Sequence, residues 1–134
     1  MPHDRAPGPP TDEVRLRHML DAARSVQRFC DGRTRQSLDQ DEMLTRAVLH
    51  ALLEIGEAAS KVTDPVRSLA PSLPWGQIVA TRNILVHVYW GVDFEKIWRT
   101  VREDIPALIA AVEIALARLA SQAPSPGSGT SASD

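Results

Sequence analysis

Apolar residues recur every three or four positions along most of this chain, and this periodicity limits the fold more than any other feature. Such spacing gives an α-helix one apolar face, and no stretch shows the strict alternation typical of a strand. The pattern predicts four main helices, at about 11–30, 39–62, 74–91 and 93–119. Asp93 is expected to cap the last of them, Pro106 to break or kink it, and Asp104 to cap its continuation. We therefore expect an all-α, up-and-down bundle of four main helices with a kinked last helix.

The two ends of the chain have a different composition. The first ten residues contain four prolines and a glycine, and the stretch after Ala123 is dominated by Ser, Gly and Pro. We expect a disordered lead over 1–10, one helical bundle domain over 11–122, and a flexible tail over 123–134. A chain of 134 residues suits a single hydrophobic core.

Charge and cysteine content restrict the classes of function. The formal net charge is −2, so any contact with nucleic acid must be local and cannot rely on bulk attraction. The single cysteine, Cys30, lies on the apolar side of a predicted helix, which favours a small core residue over a nucleophile. The N-terminus has no signal-peptide pattern, and no apolar run is long enough to cross a membrane. We expect a soluble, cytoplasmic protein.

The stretch Arg82-Asn83-Ile84-Leu85-Val86-His87-Val88-Tyr89-Trp90 places several polar groups in an otherwise apolar helix. Such groups are costly there unless they are paired or used. An arginine can grip phosphate, and an imidazole can transfer protons near neutral pH. The structural alternative is a polar dimer seam or a satisfied buried cluster.

A helical wheel separates this helix into two faces. With about 100° per residue, Arg82, Asn83, His87 and Tyr89 fall on a face distinct from the stripe expected to pack into the bundle. Arg82 and His87 are about 140° apart, so they do not converge on a straight helix. Either the helix is distorted, or a two-fold dimer brings together both copies of each residue; we favour the dimer.

These residue types suit the cleavage of RNA, which carries its own nucleophile in the 2′-hydroxyl. His87 can act as base or acid, Arg82 can stabilise the charge that develops on the phosphate, and Asn83 can orient either group. The sequence contains no paired cysteines, no His-x-x-x-His and no tight carboxylate cluster, so we expect neither a metal nor another cofactor.

Other polar residues have plainer interpretations beside functional ones. Arg17, Arg24 and Arg28 align on one side of the first helix and could contact RNA phosphates, although solvated arginines are the simpler interpretation. Glu57 is a candidate supporting residue, because the flanking Gly56 would allow a neighbouring helix to approach closely. The remaining histidines are interpreted as tail, surface or satisfied residues: His3, His18 and His50.

The motif stretch, together with its flanking blocks, resembles the R-x4-H-x-Y motif of the HEPN superfamily, and in particular its HepT-like branch. The flanking blocks occur in the expected order: Glu54-Ile55-Gly56-Glu57-Ala58-Ala59, Pro74-Trp75, Asp93 through Trp98, and Glu103-Asp104-Ile105-Pro106. The resemblance covers roughly residues 12 to 120.

The resemblance implies a helical bundle that dimerises to form a composite site with metal-independent endoribonuclease activity. By motif position, Arg82 and His87 are the implied catalytic pair and Asn83 the auxiliary polar residue. The branch supplies toxins of bacterial toxin–antitoxin pairs (type II or VII), partnered by a minimal nucleotidyltransferase. In that system the motif tyrosine, here Tyr89, accepts adenylyl groups, and the added anionic bulk beside Arg82 would block RNA.

Two other functions remain open from the residues. The chain can be a non-catalytic helical module that binds its nucleotidyltransferase partner, or an accessory nucleotide-binding domain for that partner. Pure protein that forms the complex but does not cleave RNA would support the first. Nucleotide affinity of the isolated chain would support the second.

Overall fold

The fold is described from a computed structural model that defines residues 11–87 and 93–122, without the side chains of 83–87. Within these ranges the chain is all-α and contains no β-strand, which confirms the predicted fold class. The elements, in order, are α1 (Asp12–Cys30), α2 (Ser37–Gln40), α3 (Glu42–Lys61), α4 (Asp64–Arg67), α5 (Trp75–His87), α6 (Phe94–Arg99), a π-helical turn (Thr100–Asp104) and α7 (Ile105–Gln122). The predicted terminal segments, 1–10 and 123–134, lie outside the described residues.

The first helix begins and ends close to where its sequence signals lie. Thr11 is the N-cap, and its hydroxyl accepts a hydrogen bond from the Val14 N–H at 3.3 Å. After Cys30 the chain turns through Gly32, whose φ of +70° favours a residue without Cβ. Cys30 is buried and desolvation raises the pKa of its thiol, which confirms it as a core residue.

The predicted second helix is divided in two, so its expected start at Asp39 was wrong. Asp41 has extended backbone dihedrals between α2 and α3, and its carboxylate accepts a hydrogen bond from the Leu44 N–H at 3.1 Å. The run of polar residues around 39–42 contains several plausible caps, and periodicity does not select among them. Tertiary packing favours Asp41, since Leu38 is buried and its carbonyl accepts a 2.6 Å hydrogen bond from Thr45.

Pro106 is accommodated in a continuous helix. The prediction that Asp104 caps a new helix was therefore wrong. The backbone passes from α6 through the π turn into α7, and the Ile105 N–H donates to the Thr100 carbonyl, five residues earlier. Pro106 has no N–H to donate, and the wider turn before it makes room for its ring. The predicted distortion is therefore a π turn. The predicted Asp93 cap is confirmed, because its carboxylate accepts from the N–H groups of Glu95 and Lys96.

The long helices pack around α1 and α3. These two helices run antiparallel, and the Asp12 carboxylate at the start of α1 accepts hydrogen bonds from the N–H and hydroxyl of Thr63, at 2.9 and 2.7 Å. Helix α7 packs on α1, and α5 packs on α3. The largest fully buried side chains lie on α1, α3 and α7: Leu16, Met19, Val26, Val48, Ile105 and Val112. Among the described residues, no helix is both long and apolar enough to span a bilayer.

Candidate active site

Helices α3 and α5 approach each other closely at Gly56 and Arg82. A Cβ at Gly56 would lie 2.8 Å from the Arg82 Cβ, 3.4 Å from its Cα and 3.2 Å from the Ile78 carbonyl oxygen. A separation of 2.8 Å is shorter than carbon–carbon contact distance, so no larger residue fits without a shift. The small residue therefore sets how closely the backbone carrying Arg82 lies against α3.

The side chain of Arg82 is held by two residues of α3 that follow Gly56. Its guanidinium Nη1 lies 3.4 Å from Glu57 Oε1 and donates a hydrogen bond to Ser60 Oγ, also at 3.4 Å. Ser60 Oγ in turn donates to the Glu57 carbonyl at 2.7 Å. The Arg82 side chain is 30% exposed and that of Glu57 is 52% exposed. The guanidinium is therefore oriented by α3 but still reaches solvent, as a phosphate-binding group must.

The helical wheel placed Arg82 on a face separate from the packed stripe, and this part of the prediction was wrong. The Cα and Cβ of Arg82 lie against Gly56, and the adjacent contact comes from the Ile78 carbonyl one turn earlier. A wheel shows angles around one helix but not the direction of its neighbour. Arg82 therefore lies at the edge of the α3–α5 contact, with its stem packed and its head group exposed.

The other motif residues are only partly described. Asn83 and His87 belong to the backbone of α5, while their side chains lie outside the described residues. Tyr89 and the predicted end of this helix at Gly91 lie outside them entirely. The catalytic assignment of His87 and Asn83 and the modification of Tyr89 therefore stay predictions.

The arginines of the predicted α1 stripe have partners within the protein. Arg17 pairs with Glu13 at 3.1 Å, Arg24 with Glu113 of α7 at 2.6 Å, and Arg28 donates to the Ser25 hydroxyl at 2.9 Å. Two of these three charges are thus already balanced by carboxylates. Their contact with RNA stays a prediction.

A groove of about 510 Å³ lies between α1 and α3, and sequence reasoning had not assigned it a role. Its lining includes Arg15, Asp21 and Ser25 from α1, the two helical histidines His18 and His50, and Leu53, Glu54 and Glu57 from α3. His50 Nε2 lies 3.8 Å from Glu54 Oε1. Both histidines are exposed, as predicted. Glu57 belongs to the groove and also contacts Arg82, so the groove opens beside the motif arginine.

Two contributors to this region, Ser60 and Arg15, were missed by sequence reasoning. Ser60 supports Arg82 from a position three residues beyond Glu57, a spacing that could have suggested it. Arg15 lies outside the arginine stripe and gives no signal of its own. Among the described residues, no group of three His, Cys, Asp or Glu side chains converges in a way that could hold a metal ion.

Several known proteins are similar to this chain in sequence. The family model described as Ribonuclease HepT-like matches residues 19–115. A Methanocaldococcus jannaschii protein named as a candidate RNase is 35% identical over 99 residues, which covers 74% of this chain and 91% of the relative. A similarly named protein of Caldanaerobacter subterraneus subsp. tengcongensis is 32% identical and covers 69% and 83% of the two chains.

A third relative, a Thermococcus cleftensis protein named as a candidate ribonuclease HepT, is 41% identical over 68 residues, covering 51% of this chain and 62% of the relative. No solved structure matches the chain significantly. The family match extends from within α1 through most of α7 and includes Gly56, Glu57 and Arg82. The chain therefore belongs to the Ribonuclease HepT-like family.

Proposed function

We propose that this protein is a metal-independent endoribonuclease and the toxin half of a bacterial toxin–antitoxin pair. The observation that carries the proposal is the half-buried Arg82, fixed by Glu57 and Ser60 on α3 in a chain whose relatives are named as RNases. A guanidinium held in place before substrate binds costs little reorganisation when phosphate charge develops. This matches the role that the motif assigns to Arg82.

The reaction uses the 2′-hydroxyl of the RNA itself. O2′ attacks the adjacent phosphorus, the bond from phosphorus to O5′ breaks, and a 2′,3′-cyclic phosphate forms. His87 takes the proton from O2′ or delivers one to the leaving O5′, and Arg82 stabilises the charge on the phosphorane oxygens. Asn83 orients the imidazole or binds a phosphate oxygen.

A homodimer completes this site. Arg82 and His87 are about 140° apart around a straight helix, so one copy does not direct both at the same phosphate. A two-fold seam along α5 brings an arginine from one protomer near a histidine from the other. Helix α5 packs mainly on α3, which leaves other sides of it available to a second copy.

Neutralisation follows from modification at Tyr89. A minimal nucleotidyltransferase partner transfers adenylyl groups from ATP to the tyrosine hydroxyl, and pyrophosphate leaves. The new phosphodiester carries negative charge and occupies the space beside Arg82 that RNA phosphate requires. The protein acts on cytoplasmic RNA in the absence of this modification.

The test is RNA cleavage by the purified, unmodified protein with a chelator present throughout. Wild-type protein is expected to yield 2′,3′-cyclic phosphate ends, and His87→Ala and Arg82→Ala to lose roughly 10²- to 10³-fold in rate. Arg46→Gln, which removes an exposed arginine on α3, serves as the matched control. Cleavage that survives in His87→Ala, or that disappears with chelator, contradicts the proposed mechanism. Wild-type protein that forms a tight nucleotidyltransferase complex but does not cleave RNA is instead an interaction module.

A further inference from the structure

Arg15 differs from the other arginines of α1. Its Nε is buried and, among the described residues, has no hydrogen-bond acceptor, and no carboxylate pairs with its guanidinium. Arg17 and Arg24 each have such a carboxylate. The charge of Arg15 therefore lacks a carboxylate partner among the described residues, and an anion bound in the groove that Arg15 lines would supply one.

The position of Arg15 relates it to the motif arginine. The start of α1 is joined to the end of α3 by the hydrogen bonds between Asp12 and Thr63. Arg15 lies three residues after Asp12 on α1, and Ser60 lies three residues before Thr63 on α3. Because the two helices run antiparallel, Arg15 is approximately level with Ser60. Ser60 accepts the hydrogen bond from Arg82. The two arginines therefore lie at a similar height, on the α1 side and the α5 side of α3.

The groove between α1 and α3 connects these positions. Its volume of about 510 Å³ leaves room for a nucleotide unit, and Ala22, Leu53 and Ala58 give it an apolar strip on which a base can lie. Glu57 stands between the two arginines and is paired with Arg82, and Glu54 lies within ion-pairing distance of His50. Glu57 is therefore paired on the protein, and the other two carboxylates of the lining, Asp21 and Glu54, lie six residues farther along their helices from the level of Arg15 and Ser60.

We infer that this groove is a second phosphate subsite for single-stranded RNA, in which Arg15 binds a phosphate neighbouring the one held by Arg82. The inference rests on the proposed ribonuclease function and adds the path of the strand over α3. It assigns Arg15 to substrate binding and not to the chemical step. Arg15 therefore contributes affinity and salt dependence, while Arg82 and His87 carry out cleavage.

The test measures binding without cleavage. The probe is a fluorescent single-stranded RNA in which every sugar is 2′-O-methylated, so the nucleophile is blocked, and anisotropy gives Kd across a salt titration. Arg15→Gln is expected to weaken binding about three- to tenfold and to reduce the slope of log K against log salt by about 0.7, the loss of one phosphate contact. Arg15→Lys should keep most of the slope because it keeps the charge.

Two further variants separate this result from a general effect of charge or folding. Arg46→Gln removes the same charge from a position on α3 that does not line the groove, and it should leave Kd and slope unchanged. His18→Glu adds an anion at an exposed position in the groove and should weaken binding without endangering the fold. An unchanged slope in Arg15→Gln, or unchanged affinity in His18→Glu, overturns the subsite. If wild-type protein does not cleave RNA while Arg15→Gln and His18→Glu still weaken binding as expected, only the proposed chemistry is overturned.

Discussion

Gly56 of α3 lies directly against the stem of Arg82 on α5, at a separation that leaves no room for a methyl group. The adjacent Glu57 and, one turn further along α3, Ser60 hold the guanidinium of the same arginine. One short segment of α3 thus determines both how close the motif helix lies and where its arginine points. This segment is remote in sequence from the motif that it supports.

Replacing Gly56 by alanine should push α5 away from α3. We expect Gly56→Ala to destabilise the fold by about 1–3 kcal/mol, because the new Cβ meets a Cβ and a backbone carbonyl that are both poorly able to move. RNA cleavage should fall further than stability alone explains, since Arg82 is displaced. Thermal unfolding and cleavage at a temperature where both proteins are folded measure the two effects.

Gly76 provides the matched control for this substitution. It lies in the first turn of α5, and nothing occupies the 4 Å around a Cβ placed there. Gly76→Ala should stabilise the protein by about 0.5–1 kcal/mol through helix propensity, with cleavage unchanged. Equal effects of the two substitutions would show that the α3–α5 contact is not tight at Gly56.

Glu57→Gln should separate binding from turnover. The amide keeps the size of the side chain but loses the ion pair, so the guanidinium is held less firmly. RNA phosphate then no longer competes with a carboxylate for the guanidinium. We expect KM for RNA to fall and kcat to fall, each by about two- to fivefold. Steady-state kinetics measure both parameters. Glu42→Gln, at the start of the same helix, should change neither, and an unchanged kcat in Glu57→Gln would contradict a positioning role for Glu57.

Tyr89→Phe should retain ribonuclease activity and escape neutralisation. The hydroxyl is the proposed acceptor of adenylyl groups but takes no part in the proposed chemistry. Intact mass of the protein co-expressed with its nucleotidyltransferase should show added adenylyl groups on wild type and none on Tyr89→Phe. Adenylyl mass that persists on the Phe variant would mean that another residue is modified.

Acid should weaken the start of α3 through Asp41. The hydrogen bond from the Leu44 N–H, supported by Arg33, lowers the pKa of this carboxyl below its ordinary value. A lowered folded-state pKa means that the stabilisation is present above the ordinary Asp pKa of about 3.9 and is lost as the pH falls through the folded value.

We expect Asp41→Ala to lower Tm at pH 7 by about 3–5 °C, because the helix loses its cap. Asp41→Asn keeps a capping oxygen but does not titrate. Its Tm should stay close to wild type at pH 7 and fall less between pH 5 and pH 3. Thermal unfolding monitored by circular dichroism across this range tests both variants, and parallel pH profiles for wild type and Asp41→Asn would argue against the cap as the titrating group.

The sequence by itself determined the features that depend on near neighbours. The all-α class, the cap at Asp93 and the buried Cys30 follow from periodicity and from a side chain that bonds to amides two or three residues away. The motif around Arg82 and the flanking blocks also identified the family, because they are read in order along the chain.

Tertiary structure alone decided how these parts meet. The break at Asp41 and the π turn before Ile105 depend on packing that selects among local alternatives of similar energy. The fit of Gly56 under Arg82 and the orphaned donor of Arg15 depend on the register between helices far apart in sequence. Periodicity gives the face of each helix, but only the packed bundle sets the distance and rotation at which two faces touch.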